Sequence, residues 1–208
     1  MKNFEKVFPL LIKDEGEEYT DTPGDNGGPT KYGITLTDVK RFIKRNATSE
    51  DVRSLSLNQA KNIYKLKYWD ALSCDDLPAG VDYTCFDYGV NSGLSRPRKA
   101  LQQFKYLSGT KLIDAINNER TAFLKGLAAS QKHDEQFRTG WLNRVERVRN
   151  YSKKLTKDNL SGPTVGSGIV LSGVFLSQFF HQYEYLIIDV TLAVIVGTAI
   201  HFLINKGK

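Results

Sequence analysis

The chain has 208 residues, with 29 lysines and arginines against 23 acidic residues and a formal charge of +6. That length holds one packed domain of about 100 to 200 residues plus accessory parts. The positive balance favours an anionic partner such as nucleic acid, a phospholipid face or a cell wall, without choosing among them. Two cysteines and three histidines, with no Cys-x-x-Cys pair, argue against a zinc site of the usual ligand count, and no metal or cofactor is expected.

Phe4, Val7, Phe8, Leu11 and Ile12 recur at helical spacing, which predicts a helix over about residues 3–13 with one buried face and Glu15 at its C-terminal end. Charged residues interrupt these apolar positions, so the N-terminus does not read as a secretory signal. From Glu18 to Thr35 the pattern becomes turn-rich, with Pro23-Gly24-Asp25-Asn26-Gly27-Gly28-Pro29 followed by Tyr32-Gly33-Ile34, and a short hairpin or ordered loop is expected. Thr35 with Asp38 marks the start of a helix carrying Leu36, Val39, Phe42 and Ile43. Ser56 caps another, with Ala60, Ile63, Tyr64 and Tyr68. The small and aromatic residues from Gly80 to Asn91 suit a central buried helix that stops at Gly93.

Ser95 and Pro97 open a helix through Leu107. Two more follow, one carrying Leu112, Ile113, Ile116, Phe123, Leu124 and Leu127, the other Phe137, Trp141, Leu142, Val145 and Val148, with Arg138, Arg144, Arg147 and Arg149 on its basic face. Residues 93–157 read as a small helical subdomain behind a domain spanning 1–92. Composition then shifts: residues 158–208 read as a Gly- and Ser-rich linker and a hydrophobic segment. Within it Leu186–Ile204 has no Lys or Arg and would reach roughly 28 Å as a helix, about the thickness of a bilayer's hydrocarbon core. A buried hairpin helix is the other reading of that segment.

Glu15, at a helix end and facing a polar hairpin, has the placement of a carboxyl group that can be partly desolvated and so serve as a proton donor. A glycosidase pairs such an acid with a second carboxylate across the cleft. Asp25 and Asp21 are the candidates for that partner, in that order, and the Thr30 hydroxyl could hold a water. This trio resembles the Glu, Asp, Thr set of phage lysozymes, although turn-forming and capping roles explain the same residues.

The surrounding residues are more specific. Asp14-Glu15-Gly16-Glu17-Glu18-Tyr19, then Asp25-Asn26-Gly27-Gly28-Pro29-Thr30-Lys31-Tyr32-Gly33-Ile34-Thr35, resembles glycoside hydrolase family 108. Tyr68-Trp69 and Phe86-Asp87-Tyr88-Gly89-Val90-Asn91-Ser92-Gly93 look like its later signatures, and Gly140-Trp141-Leu142-Asn143-Arg144-Val145 is similar to a peptidoglycan-binding domain that commonly follows it. Glu17 departs from the pattern, standing where a glycine is expected.

The resemblance implies a mainly α fold, of the α+β lysozyme-like kind, with a helical catalytic domain carrying a small hairpin and a helical subdomain, and the apolar run 186–204 adds the expectation of a C-terminal transmembrane helix. It implies an N-acetylmuramidase with Glu15 as the catalytic acid. Asp25 and Thr30 are the further catalytic candidates, and Tyr32 and Asn91 the candidate glycan contacts, with a helix C-cap the other reading of Asn91. Peptidoglycan and a host inner membrane are the expected partners, and the catalytic domain is expected on the periplasmic side of that membrane. Trp69, Tyr68 and Phe86 read as core rather than sugar platforms.

A non-catalytic, membrane-anchored wall-binding protein on the same scaffold is the main alternative. Nucleic-acid binding rests on charge alone. A cysteine peptidase would need a histidine able to meet Cys74 or Cys85, and only His133 lies outside the apolar tail.

Overall fold

A computed structural model describes residues 3–21, 28–130 and 135–160. Among them are eight α-helices and a two-stranded sheet, in agreement with the mainly α expectation. Met1–Gly162 forms one compact unit. The candidate Asp25 and the segment 186–204 lie outside the described residues, and no described helix is long and apolar enough to cross a membrane.

The first helix, α1 (Phe4–Glu15), runs through Pro9, whose missing N–H falls on an exposed face, and buries Phe4, Val7, Phe8, Leu11 and Ile12. Phe4 meets Trp69 and Phe86 edge-on, at ring-centroid distances of 5.2 and 5.7 Å, and Trp69 meets Phe86 at 5.4 Å. This aromatic triangle fixes α1 against the middle of the domain and sets where its C-terminus emerges. It also places Trp69 and Phe86 in the core, as the sequence suggests.

Strands β1 (Thr30–Lys31) and β2 (Ile34–Thr35) pair antiparallel, Thr30 with Thr35 and Lys31 with Ile34, leaving Tyr32-Gly33 as a two-residue loop. Both loop residues have positive φ, 54° and 70°, the type I′ geometry that matches the twist of paired strands. Thr35 then caps α2 (Leu36–Phe42) by accepting the Asp38 N–H. A short helix that the apolar pattern does not announce, α3 (Ser49–Arg53), precedes α4 (Leu57–Tyr64), which Ser56 and Gln59 open with a capping box. Where the sequence suggests one continuous helix to Tyr68, the chain widens into a π-helical stretch over Lys65–Asp70.

At the centre is α5 (Val81–Ser92), whose residues from Val81 to Gly89 are all buried. Its start is tied to α1: Asp82 accepts from Asn3 Nδ2 and from the Gly80 and Tyr83 backbone N–H groups, each at 2.7 Å. α6 (Ser95–Gln103) ends earlier than its apolar pattern suggests, because residues 104–106 turn. The long pair α7 (Gly109–Ser130) and α8 (Glu135–Leu160) packs on α5. A side chain at Gly80 would stand 2.2 Å from the Ser152 carbonyl, so glycine lets the two backbones meet. Thr84 donates to Ser152 Oγ at 2.9 Å, and Thr156 to the Ala79 carbonyl at 2.8 Å. The point where the sequence suggests dividing the chain, at Gly93, is thus a helix cap inside one compact unit.

Candidate active site

Glu15 is the last residue of α1, and Gly16 terminates the helix with φ 84° and an N–H returned to the Ile12 carbonyl at 3.0 Å. The carboxylate retains 21% of its exposure, partly stripped of water but reachable by a ligand. The hairpin loop closes on it. A Cβ at Gly33 would lie 3.1 Å from Glu15 Oε2 and 2.5 Å from the Tyr64 hydroxyl, so glycine is the residue that permits this approach. Tyr64 holds the loop there by donating to the Tyr32 carbonyl at 2.8 Å. Burial, and then the charge of Glu15, push the Tyr64 hydroxyl well above its ordinary pKa, so it remains a donor throughout the physiological range.

On its other oxygen Glu15 is bound by Arg144 of α8, Nη2 to Oε1 at 2.7 Å. Arg144 also grips Asp87 of α5, with Nη2 at 2.9 Å and Nε at 3.2 Å from its oxygens. Asp87 is fully buried and meets a second cation, the fully buried Arg120 of α7, at 2.7 Å, as an ion pair without an aligned hydrogen bond. Asp14 is held by Arg147 at 2.5 Å and lies 3.9 Å from Arg144. Arg120, Asp87, Arg144 and Glu15 therefore alternate in charge from the core out to the candidate acid, and Asp14 with Arg147 branches from Arg144.

Burial alone would raise the Asp87 carboxyl, but Arg120 and Arg144 outweigh it and hold it below the usual carboxylate range. Burial would likewise lower Arg144, and the charges of Asp87 and Glu15 outweigh that, so it stays a cation.

The loop brings Gly33 to Glu15. Tyr32 is half-buried and contributes its carbonyl to the Tyr64 bond. Thr30 stands at the base of the hairpin, half-buried, with its hydroxyl donating to the Gly28 carbonyl at 3.0 Å. Asp21, the runner-up for the second carboxylate, is exposed and accepts from Tyr19 at 3.1 Å. Asn91 is exposed, one helical turn beyond Asp87, and accepts from the Ser92 hydroxyl; Gly93, not Asn91, caps the helix. A cavity of about 470 Å³ opens beside Asp14, lined by Leu10, Lys13, Asp14, Tyr83, Arg147 and Tyr151, and Glu15, Thr30, Tyr32 and Asn91 are not among its lining residues. Cys74 and Cys85 are buried free thiols that burial pushes up in pKa, which removes them as nucleophiles. Among the described residues no cluster of His, Cys, Asp or Glu could hold a metal ion.

Sequence reasoning treats Arg144 as part of a basic helix face and passes over Arg120. A signal for Arg120 exists: it falls on the apolar stripe of α7, between Ile116 and Leu124, where a charge must have a buried partner. Arg144 gives no such signal, because its helix carries four arginines and its partners lie 57 and 129 positions away.

A glutamate at a helix end, closed over by a two-stranded hairpin in a helical domain, is the arrangement that the resemblance to lysozyme-like hydrolases leads one to expect. The glycosyl hydrolase 108 family model matches residues 8–93. The solved structure of Brucella abortus SagA is similar, with 31% sequence identity over 76% of this chain and 98% of that one and a TM-score of 0.65. A search of curated proteins finds no match. The chain belongs to the glycosyl hydrolase 108 family and is a glycoside hydrolase of the N-acetylmuramidase type.

Proposed function

We propose that this protein is a phage endolysin that hydrolyses the β-1,4 bond between N-acetylmuramic acid and N-acetylglucosamine in peptidoglycan, with Glu15 as the general acid, and so lyses the host cell. The observation that carries this reading is the environment of Glu15: partly desolvated at the end of α1 and clamped between the Gly33 loop and Arg144. From there the acid can hand its proton to the glycosidic oxygen of a strand lying along the hairpin. Asp25, outside the described residues, is the second carboxylate in this reading, and Thr30 at the base of the hairpin is the further catalytic candidate. Tyr32 and Asn91 contact the glycan. The apolar run Leu186–Ile204 supports a site of action at the host inner membrane, with the hydrolase on the periplasmic side.

The test uses purified wild-type protein and Glu15→Gln on isolated peptidoglycan, with borohydride reduction of the products. Reduced muramic acid from the wild type alone is the expected result. Equal release by the folded glutamine variant would overturn the assignment of Glu15, and a reduced glucosamine end would overturn the bond.

A further inference from the structure

We propose that Arg144 is a positioning residue of the hydrolytic reaction, supplied by the last described helix, which fixes the rotamer of Glu15 and takes up the negative charge that appears on it when its proton leaves. The inference rests on the reading of Glu15 as the acid.

A general acid begins the step neutral and ends it as a carboxylate. A cation fixed at the carboxylate therefore stabilises the transition state more than the protonated ground state, which is the condition for a gain in rate. Arg144 meets that geometry at 2.7 Å from Glu15 Oε1. It is also pre-organised: Asp87 binds it through both Nε and Nη2, and Asp87 is itself immobilised by burial against Arg120. The side chain cannot swing to another partner without leaving a buried carboxylate partly unpaired. Arg147 cannot substitute, since it serves Asp14 and is largely exposed. The fork matters as well as the charge, because an ammonium group is a point donor and cannot hold Glu15 and Asp87 in one plane.

Position and charge are separable by experiment. The full-length wild type, Arg144→Gln, Arg144→Lys and Glu15→Gln are compared for kcat and KM on peptidoglycan, with folding checked by circular dichroism. For Arg144→Gln, kcat should fall by about tenfold or more with KM little changed. Arg144→Lys should also lose kcat with KM little changed, because it keeps charge but not geometry.

Wild-type kcat in a folded Arg144→Gln variant, with Glu15→Gln inactive, would overturn the role of Arg144 and leave the acid assignment standing. If Arg144→Gln does not fold, Arg144→Lys decides alone: wild-type kcat overturns the proposal. Activity in Glu15→Gln overturns the acid assignment itself, whatever the arginine variants do.

Discussion

At Gly33 two demands fall on one residue. Its φ of 70° is costly for any side chain, and a Cβ there would press on Glu15 and the Tyr64 hydroxyl. Gly28 shares the first demand, at φ 61°, but has nothing within 4 Å of the Cβ position. The two alanine variants therefore separate backbone strain from site geometry. Gly28→Ala and Gly33→Ala should each lose about 1–2 kcal/mol in thermal or urea unfolding. Only Gly33→Ala should also lose kcat, by about tenfold, because its methyl group displaces the carboxylate. Wild-type turnover in Gly33→Ala would show that the loop does not position Glu15. The residues around this loop are the part of the site most legible in sequence, since turn formation is local and glycine, asparagine and threonine announce it. Asp87 is less so: it is visible in the motif, but nothing adjacent in sequence reveals its two arginine partners.

Helix α5 owes its fully buried carboxylate to its neighbours rather than to its own composition. A lone ionised Asp87 at that depth would be untenable, so α7 and α8 contribute Arg120 and Arg144 as counter-charges, and the ion pairs lock the three helices together. Removing the acid strands the fully buried Arg120 and leaves Arg144 with Glu15 and Asp14 alone, so D87N should lose about 3–5 kcal/mol of stability near neutral pH. The pH dependence follows from the sign of the shift. The folded carboxyl sits below its unfolded value of about 3.9, so its contribution is complete above that pH and disappears as acid carries the solution through the lower folded value. Wild-type and D87N melting temperatures should accordingly converge as the pH falls below about 4. A constant gap between the two melts across this range would argue against an ionised Asp87. Buried Asp82 carries the opposite sign, because burial raises it, and acts above this window, so it does not mask the effect. Element positions were largely readable from apolar spacing. The π-helical turn at Lys65–Asp70 was not, since it preserves the helical spacing of Tyr64 and Tyr68 while seating Trp69 in the aromatic triangle.

For the whole molecule the question is how much chain the hydrolase needs. The family match stops at residue 93, and the sequence pattern suggests the same border. Two physical facts extend the requirement to α8. The inner face of α5, Val81, Cys85 and Tyr88, is covered by Leu112, Ile113 and Ile116 of α7, and a chain ending at Ser92 would expose it. Such a chain would also lack Arg120 and Arg144, leaving Asp87 unpaired and Glu15 without its clamp. A chain ending at Gly162 keeps all of these within one compact unit. The 1–162 protein is therefore expected to melt cooperatively and to release reducing muramic acid from isolated peptidoglycan at close to the full-length rate. The 1–92 protein should be unfolded or inactive. A folded, active 1–92 fragment would show that α7 and α8 serve something other than the reaction. The same pair of proteins tests the hydrophobic tail: if Leu186–Ile204 is what seeks the membrane, the full chain should sediment with phospholipid vesicles and the 1–162 protein should stay in the supernatant under conditions where both cleave the wall equally well. Co-sedimentation of both would assign membrane attraction to the +6 charge balance instead of the apolar segment.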